Sequence, residues 1–418
     1  MDIRDCATQY LFLLVGGNTL PNYVAAHLLA DTDTALYLVY SEGTNDQRAA
    51  LSKTLDPARY SIKDVLVNEA NPANIYNEIR QRLKNIPETL SVGLHYTGGT
   101  KAMSVHAYRA IQDWQKEKPA ARYACYTYLD ARTLHLWAER SDWSGAQALF
   151  VGDKVKVSLV ELLSLHRRDV LRKPMRTEAI WPSVVHALMR VNNKEELRKK
   201  WVTPWNDYKR FEEKHELKLQ AALETVRTDQ LHPDPQWYEY IYRALAQETG
   251  LDLPTTFGSI MQASPFAGIE NPFYAMVKWF TGGWFEDYVF LQVQQLAERY
   301  NLHDLALNVQ PKLGSKDFEF DVVAMRHYQL FAFSCTLDRG RPTCKHKLLE
   351  AVARARQLGG SEARIALVCC IDDPADLQNE VEMLVRDNQV KVFGAGDLSR
   401  LQSKIEEWFR ELDRLNKP

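Results

Sequence analysis

Between Tyr10 and Asp130, short apolar runs alternate with amphipathic stretches. The apolar runs are YLFLLVG, ALYLVYS, YSIKDVLV, LSVGLHYTG and RYACYTYLD. The segments between them, PNYVAAHLLA, NDQRAALSKTL, NIYNEIRQRLKN and TKAMSVHAYRAIQDWQKE, carry apolar residues at helical spacing. Strands joined through helices predict a mostly parallel sheet covered on both faces, with RTLHLWAE as a hairpin-like addition. Ligands of such sheets gather at the carboxyl ends of the strands.

Two of those ends stand out. In VGGNTLPNYV, Gly16, Gly17, Asn18 and Thr19 lead into a helix opened by Pro21 and Asn22. In GLHYTGGTKAMSVHAY the fourth strand runs into Thr97-Gly98-Gly99-Thr100-Lys101. Paired glycines let the backbone turn sharply and be approached closely, and a helix start aims unpaired N–H groups forward. A lysine at that start opposes the helix dipole, so an anion in front of Lys101 explains it better than solvent does. Neither loop matches GxGxxG or GxxxxGK[ST], which argues against a Rossmann dehydrogenase or a P-loop NTPase. Met103 reads as core and His95 as a satisfied strand residue.

A chain of 418 residues calls for two or three domains, and 45% hydrophobic with 25% charged residues reads as soluble and globular. No apolar run reaches bilayer length, and MDIRDCATQY lacks the basic, apolar character of a signal peptide, so a cytoplasmic protein without membrane contact is expected. The six cysteines, at 6, 125, 335, 344, 369 and 370, have neither paired metal spacing nor disulfide-scaffold density; reduced, buried thiols are expected. Eleven histidines without HExxH spacing argue against structural zinc. A net charge of -2 gives no global pull toward nucleic acid, leaving HRRDVLRKPMR, His166 to Arg176, as a local basic candidate.

Residues 151–272 read as helical and irregular, and the mixed-sign run from Asn193 to Arg227 as a solvated face. In the last third, GGWFEDYVFLQVQQLAERYNL reads as one amphipathic helix and FEFDVVAMRHYQLFAFSCTLD as a strand hairpin. CKHKLLEAVARARQLGG follows as a helix closed by glycines, then the strands ARIALVCC and QVKVFGAG.

Together, VGGNTLPN and YTGGTKAM resemble the CARF domain, the CRISPR-associated Rossmann-like sensor of cyclic oligoadenylates. The whole chain is similar to CARF-fused CRISPR ancillary nucleases activated by cyclic tetra-adenylate, whose C-terminal half is restriction-endonuclease-like. The resemblance implies an α/β protein with a CARF sensor at 1–150, a mostly helical connector at 151–272 and a PD-(D/E)XK effector at 273–418. It also implies a homodimer, because two loops from one protomer are too few to surround a two-fold ring. Thr97, Gly98, Gly99, Thr100 and Lys101 would meet the phosphates, and Gly17, Asn18 and Thr19 the ribose or base.

In the effector, Asp321 stands where the PD-(D/E)XK core holds its metal-binding aspartate, and Glu286 matches the helix glutamate of the family's GGW-(L/F)-E segment. The second strand departs from the pattern, reading Ser334-Cys335-Thr336 where an acid, any residue and a lysine belong. Phosphodiester hydrolysis needs anionic ligands for Mg²⁺ or Mn²⁺ and a cation near the phosphate. Lys345, Lys347 and Glu350, in the first turns of the next helix, are the replacements available, with Glu350 joining Asp321 and Glu286 as a metal ligand. The leading expectation is ligand-activated, metal-dependent cleavage of DNA or RNA in antiviral CRISPR defence. The alternative is a catalytically degenerate sensor that binds nucleic acid or a protein partner without cutting.

Overall fold

In the computed structural model, residues 2–56, 58–118, 122–130, 132–168, 171–312, 319–360, 363–385 and 390–415 are described. The first sheet contains β1 (Tyr10–Leu14), β2 (Ala35–Tyr40), β3 (Ser61–Leu66), β4 (Val92–His95), β5 (Ala124–Asp130), β6 (His135–Arg140) and β7 (Gln147–Phe150). Their order is β3-β2-β1-β4-β5-β6-β7, with β1 to β5 parallel and β6 and β7 antiparallel. The central strands β1, β2 and β4 are buried almost throughout, as their unbroken apolar runs require, whereas β3 at the edge is largely exposed. The chain first builds outward from β1 to β3 and then returns to lay β4 on the other side of β1. Direction therefore reverses between β1 and β4, and both glycine loops leave the sheet at that switch point.

Helices α1 (Leu20–Leu29) and α2 (Asn45–Thr54) cover one face of the sheet; α3 (Pro72–Leu83) and α4 (Lys101–Glu117) cover the other. The first face also receives α5 (Leu159–Leu165), which lies past β7 yet packs with α1 and α2. Ser158 and Glu161 form its capping box, and Glu161 accepts a 2.7 Å bond from the Tyr23 hydroxyl of α1.

From α6 (Pro182–Asn192) and α7 (Glu195–Val202) onward, the chain is helical around an aromatic core that includes Trp181, Trp201, Trp205, Trp237 and Phe280. His232 stacks on Trp201 with 4.2 Å between ring centroids and bonds the Tyr242 hydroxyl and the Trp201 carbonyl. Burial lowers its pKa to about 4, so it is a neutral packing residue. The run expected to be solvated buries Trp201, Trp205, Leu219 and Leu223 and exposes its charges.

The second sheet contains β8 (Leu302–Val309), β9 (Phe320–Arg326), β10 (Gln329–Cys335), β11 (Arg364–Val368) and β12 (Val390–Phe393), in the order β12-β11-β10-β9-β8. β9 and β10 form the expected hairpin, of which Phe318 lies outside the described residues. β10, β11 and β12 run parallel. Three elements differ from expectation. β7 and β8 were not anticipated, and GGWFEDYVFLQVQQLAERYNL is not one helix: Trp284–Gln294 and Ala297–Tyr300 are helical, and the chain stops at Asn301. Asn301 is left-handed at φ 52°, a conformation its short amide tolerates, and Leu302 then opens β8. Polar His303, Asp304 and Asn308, with an irregular register between His303 and Ala306, hide the alternation of β8 in the sequence.

All six cysteines are free and buried. Among the described residues, no helix is long and apolar enough to cross a membrane.

Candidate functional site

The two glycine loops touch. A Cβ on Gly16 would lie 2.8 Å from the amide nitrogen of Gly99, and one on Gly98 would lie 2.2 Å from the Leu14 carbonyl oxygen. Gly99 is at φ +75°. The backbone packing therefore demands glycine here, whatever binds above it. Thr100 caps α4 by accepting from the Met103 N–H at 3.2 Å, and Lys101 stands exposed at the first helical position. The remaining first-turn N–H groups face out over the loop. Thr97 accepts from the Leu129 N–H at 2.7 Å, and Gly17 is exposed with open space around it.

Asn18 starts α1 by accepting from the Leu20 N–H at 3.1 Å and meets the His166 ring at 3.3 Å. Thr19 differs from the reading of it as a surface contact. It is buried, and its hydroxyl donates to the Leu165 carbonyl at 3.0 Å, so it ties the loop to α5. His95 is fully buried against Thr127 and its pKa falls to about 3, which keeps it neutral. Sequence reasoning missed Ser41 and Glu69, whose side chains bond each other beside this corner, while the Glu69 carbonyl accepts from Thr100. It also missed Tyr96 and Tyr128, a ring pair 5.8 Å apart next to Thr97.

In the second sheet, the helix Trp284–Gln294 and strand β9 bring Glu286 and Asp321 into one electrostatic site. The Asp321 carboxylate accepts from the Cys335 N–H at 2.6 Å and from Ser334 Oγ at 3.4 Å. The Cys335 carbonyl in turn accepts from Lys347 Nζ at 3.2 Å. One residue, Cys335, thus links the aspartate to Lys347, which stands on the helix Arg341–Gly359 beside β10. Glu286 accepts from Asn308 Nδ2 at 2.7 Å.

Burial, then the charges of Asp321 and Glu319, push the Glu286 carboxyl up to about 8. Burial also raises Asp321, to about 6, against the pull of Lys347 and the Cys335 N–H. Two carboxylates in a shared, partly desolvated site oppose each other's ionisation, and a divalent cation between them would relieve that cost. Among the described residues, no group of three His, Cys, Asp or Glu side chains converges on a point. Glu286 and Asp321 could offer a divalent cation two carboxylates, a partial donor set of the kind Mg²⁺ or Mn²⁺ completes with waters and phosphate oxygens.

Two expected participants lie elsewhere. Lys345 is paired with Glu380 of the helix Pro374–Val385, because its position on the helix turns it toward that neighbour. Glu350 is exposed farther along the helix and is not among the main charges acting on either carboxylate. The basic run from His166 to Arg176 is divided: Arg172 and Lys173 are exposed, whereas two of its arginines are engaged with acids. Arg167 pairs with Asp46 and Arg176 with the buried Asp287, while Asp169 and Val170 lie outside the described residues. Asn308 and Glu319 belong to the centre and were not foreseen.

Residues 274–412, which carry this centre, match the family model of the Card1-like endonuclease domain. No curated protein sequence matches the chain. The fold of the whole chain is similar to that of Can2 from Sulfobacillus thermosulfidooxidans, solved in complex with cyclic tetra-adenylate. The two share 15% identity at a TM-score of 0.64, over 97% of this chain and 99% of Can2. Protein VC1899 from Vibrio cholerae has the same fold at 15% identity and a TM-score of 0.63, over 96% of this chain and 98% of the other.

Proposed function

We propose that the protein is a CRISPR effector nuclease of the type III class, which binds a cyclic oligoadenylate at the β1 and β4 loops and in response cleaves nucleic acid at the Card1-like domain. The observation that carries this reading is the convergence of Glu286, Asp321 and Lys347 in that domain, in a chain whose whole fold matches a cyclic tetra-adenylate-bound protein. Cyclic tetra-adenylate is accordingly the activator of choice. Thr97, Gly98, Gly99, Thr100 and Lys101 meet its phosphates, and Gly17 and Asn18 its ribose or base. A two-fold ring needs two copies of these loops, so the working unit is a homodimer, acting in the cytoplasm.

At the effector, Glu286 and Asp321 would hold Mg²⁺ or Mn²⁺. The metal would supply charge neutralisation at the scissile phosphate and a more acidic bound water. Lys347 would place an ammonium where charge develops on the phosphate oxygens. Because Glu286 is raised so far, loading the site expels its proton.

The Ser334-Cys335-Thr336 sequence favours a second reading, a sensor that binds without cutting. Purified protein incubated with supercoiled plasmid, single-stranded DNA or single-stranded RNA, with and without cyclic tetra-adenylate and Mn²⁺, separates the two. Ligand- and metal-dependent cleavage that Asp321→Ala abolishes supports the nuclease. Cleavage that appears only after Ser334→Glu with Thr336→Lys supports the degenerate sensor.

A further inference from the structure

The segment that leaves the sensor is docked on the effector. Leu171 and Arg176 bridge antiparallel to Pro311 and Leu307, at the end of edge strand β8. The Arg172 N–H donates to the Gln310 carbonyl at 3.0 Å, and Arg176 and Leu307 exchange backbone bonds at 3.2 and 2.8 Å. The Arg176 side chain then reaches two acceptors. Its Nε donates to Asn308 Oδ1 at 3.0 Å, and its Nη1 lies 3.0 Å from Asp287 Oδ1. Asp287 is fully buried and also accepts from Trp279 Nε1 at 2.6 Å and the Ile180 N–H at 3.2 Å.

A guanidinium can only donate, so the Asn308 amide must turn its oxygen to Arg176. Its NH₂ group is thereby aimed at Glu286, where it donates at 2.7 Å. Arg176 thus reaches Glu286 through the amide of Asn308. Upstream, the same stretch of chain carries Leu165 and His166, the partners of Thr19 and Asn18 in the ligand loop.

We propose that Arg176 is a positioning residue for the metal centre: by fixing the amide of Asn308 it sets the orientation of Glu286. This rests on the reading of Glu286 and Asp321 as metal ligands. Partners that orient metal ligands are worth roughly 10- to 100-fold in metal affinity.

The test is calorimetric titration of full-length protein with Mn²⁺, without nucleic acid, together with thermal melting. Arg176→Lys keeps a cation opposite Asp287, but one ammonium does not reproduce the planar fork that holds both acceptors. It is expected to melt near wild type while binding Mn²⁺ about tenfold or more weakly. Asn308→Ala should show the same loss, and the double variant no more than either alone, because the two act in series. Arg176→Lys with Mn²⁺ affinity within about twofold of wild type overturns the positioning role and leaves the metal site standing. Wild-type protein that binds no Mn²⁺ overturns the metal-site reading and this proposal with it.

Discussion

Replacing Lys347 by methionine removes the ammonium from the centre and keeps most of the side chain's volume. Its Nζ sits 3.2 Å from the Cys335 carbonyl, whose own N–H is 2.6 Å from Asp321. The Lys347 charge is the one cationic influence that lowers Asp321 among the described residues. Two effects follow. Loss of one preorganised donor at developing charge costs roughly 10²–10³-fold in kcat. Loss of the attraction that lowers Asp321 also raises that carboxyl further, so metal binding weakens separately. Saturating Mn²⁺ removes the second effect and leaves the first. The assay is cleavage of an end-labelled strand at saturating cyclic tetra-adenylate over a Mn²⁺ series, with Lys345→Met alongside. Lys345 is committed to Glu380, so that variant should cleave like wild type. If Lys347→Met keeps kcat within about threefold at saturating Mn²⁺ while Lys345→Met collapses, the assignment of the migrated lysine is wrong.

Lys101→Ala should weaken cyclic tetra-adenylate binding roughly ten- to hundredfold by calorimetry, the range of a charge-assisted contact, without shifting the melting temperature. Gly98→Ala forces a Cβ to within 2.2 Å of the Leu14 carbonyl, so it should cost roughly 1–3 kcal/mol of stability in denaturant titration and lose ligand binding together with it. The Glu286 carboxyl is raised in the folded state, so the fold binds more protons than the unfolded chain between the ordinary carboxylate range and about 8. Metal-free stability should therefore fall as pH rises through that window, and Glu286→Gln should flatten the slope; melting curves across pH check both. Over the same window Mn²⁺ affinity should rise with pH, with proton release visible as buffer-dependent heat.

Most of the sensor was legible because its strands are buried on both faces and its helices are amphipathic, so period and punctuation coincide from β1 to β5. The glycine pairs were legible as punctuation at two strand ends; the contact between the loops requires Gly16 and Gly98, a left-handed φ favours glycine at 99, and Gly17 has open space around it. Thr19 was misread because sequence does not reveal that a hydroxyl two residues past a glycine pair turns inward to α5. In the effector, Asp321 and Glu286 could be placed by their elements and by family resemblance, whereas choosing among Lys345, Lys347 and Glu350 needed the rotation of one helix relative to two neighbours. Strand β8 and Asn308 were invisible because polar side chains interrupt the alternation, and the value of Asn308 depends on an arginine far upstream.

The second sheet shares its covering on both faces between its own helices and parts of the chain that precede it. Phe320, Val323, Met325 and Leu330 share one apolar cluster with α5, and Val322, Phe331 and Phe333 share another with α6 and α7. Such a sheet is a poor cassette. Recombination that joined residues 273–418 to a different sensor would carry over the catalytic side chains and strip the sheet of part of its covering, leaving an aggregation-prone fragment. Exchange of the second sheet among chains of this architecture must therefore take the intervening helices along, and because α5 also packs on α1 and α2, a break between the two sheets uncovers one or the other.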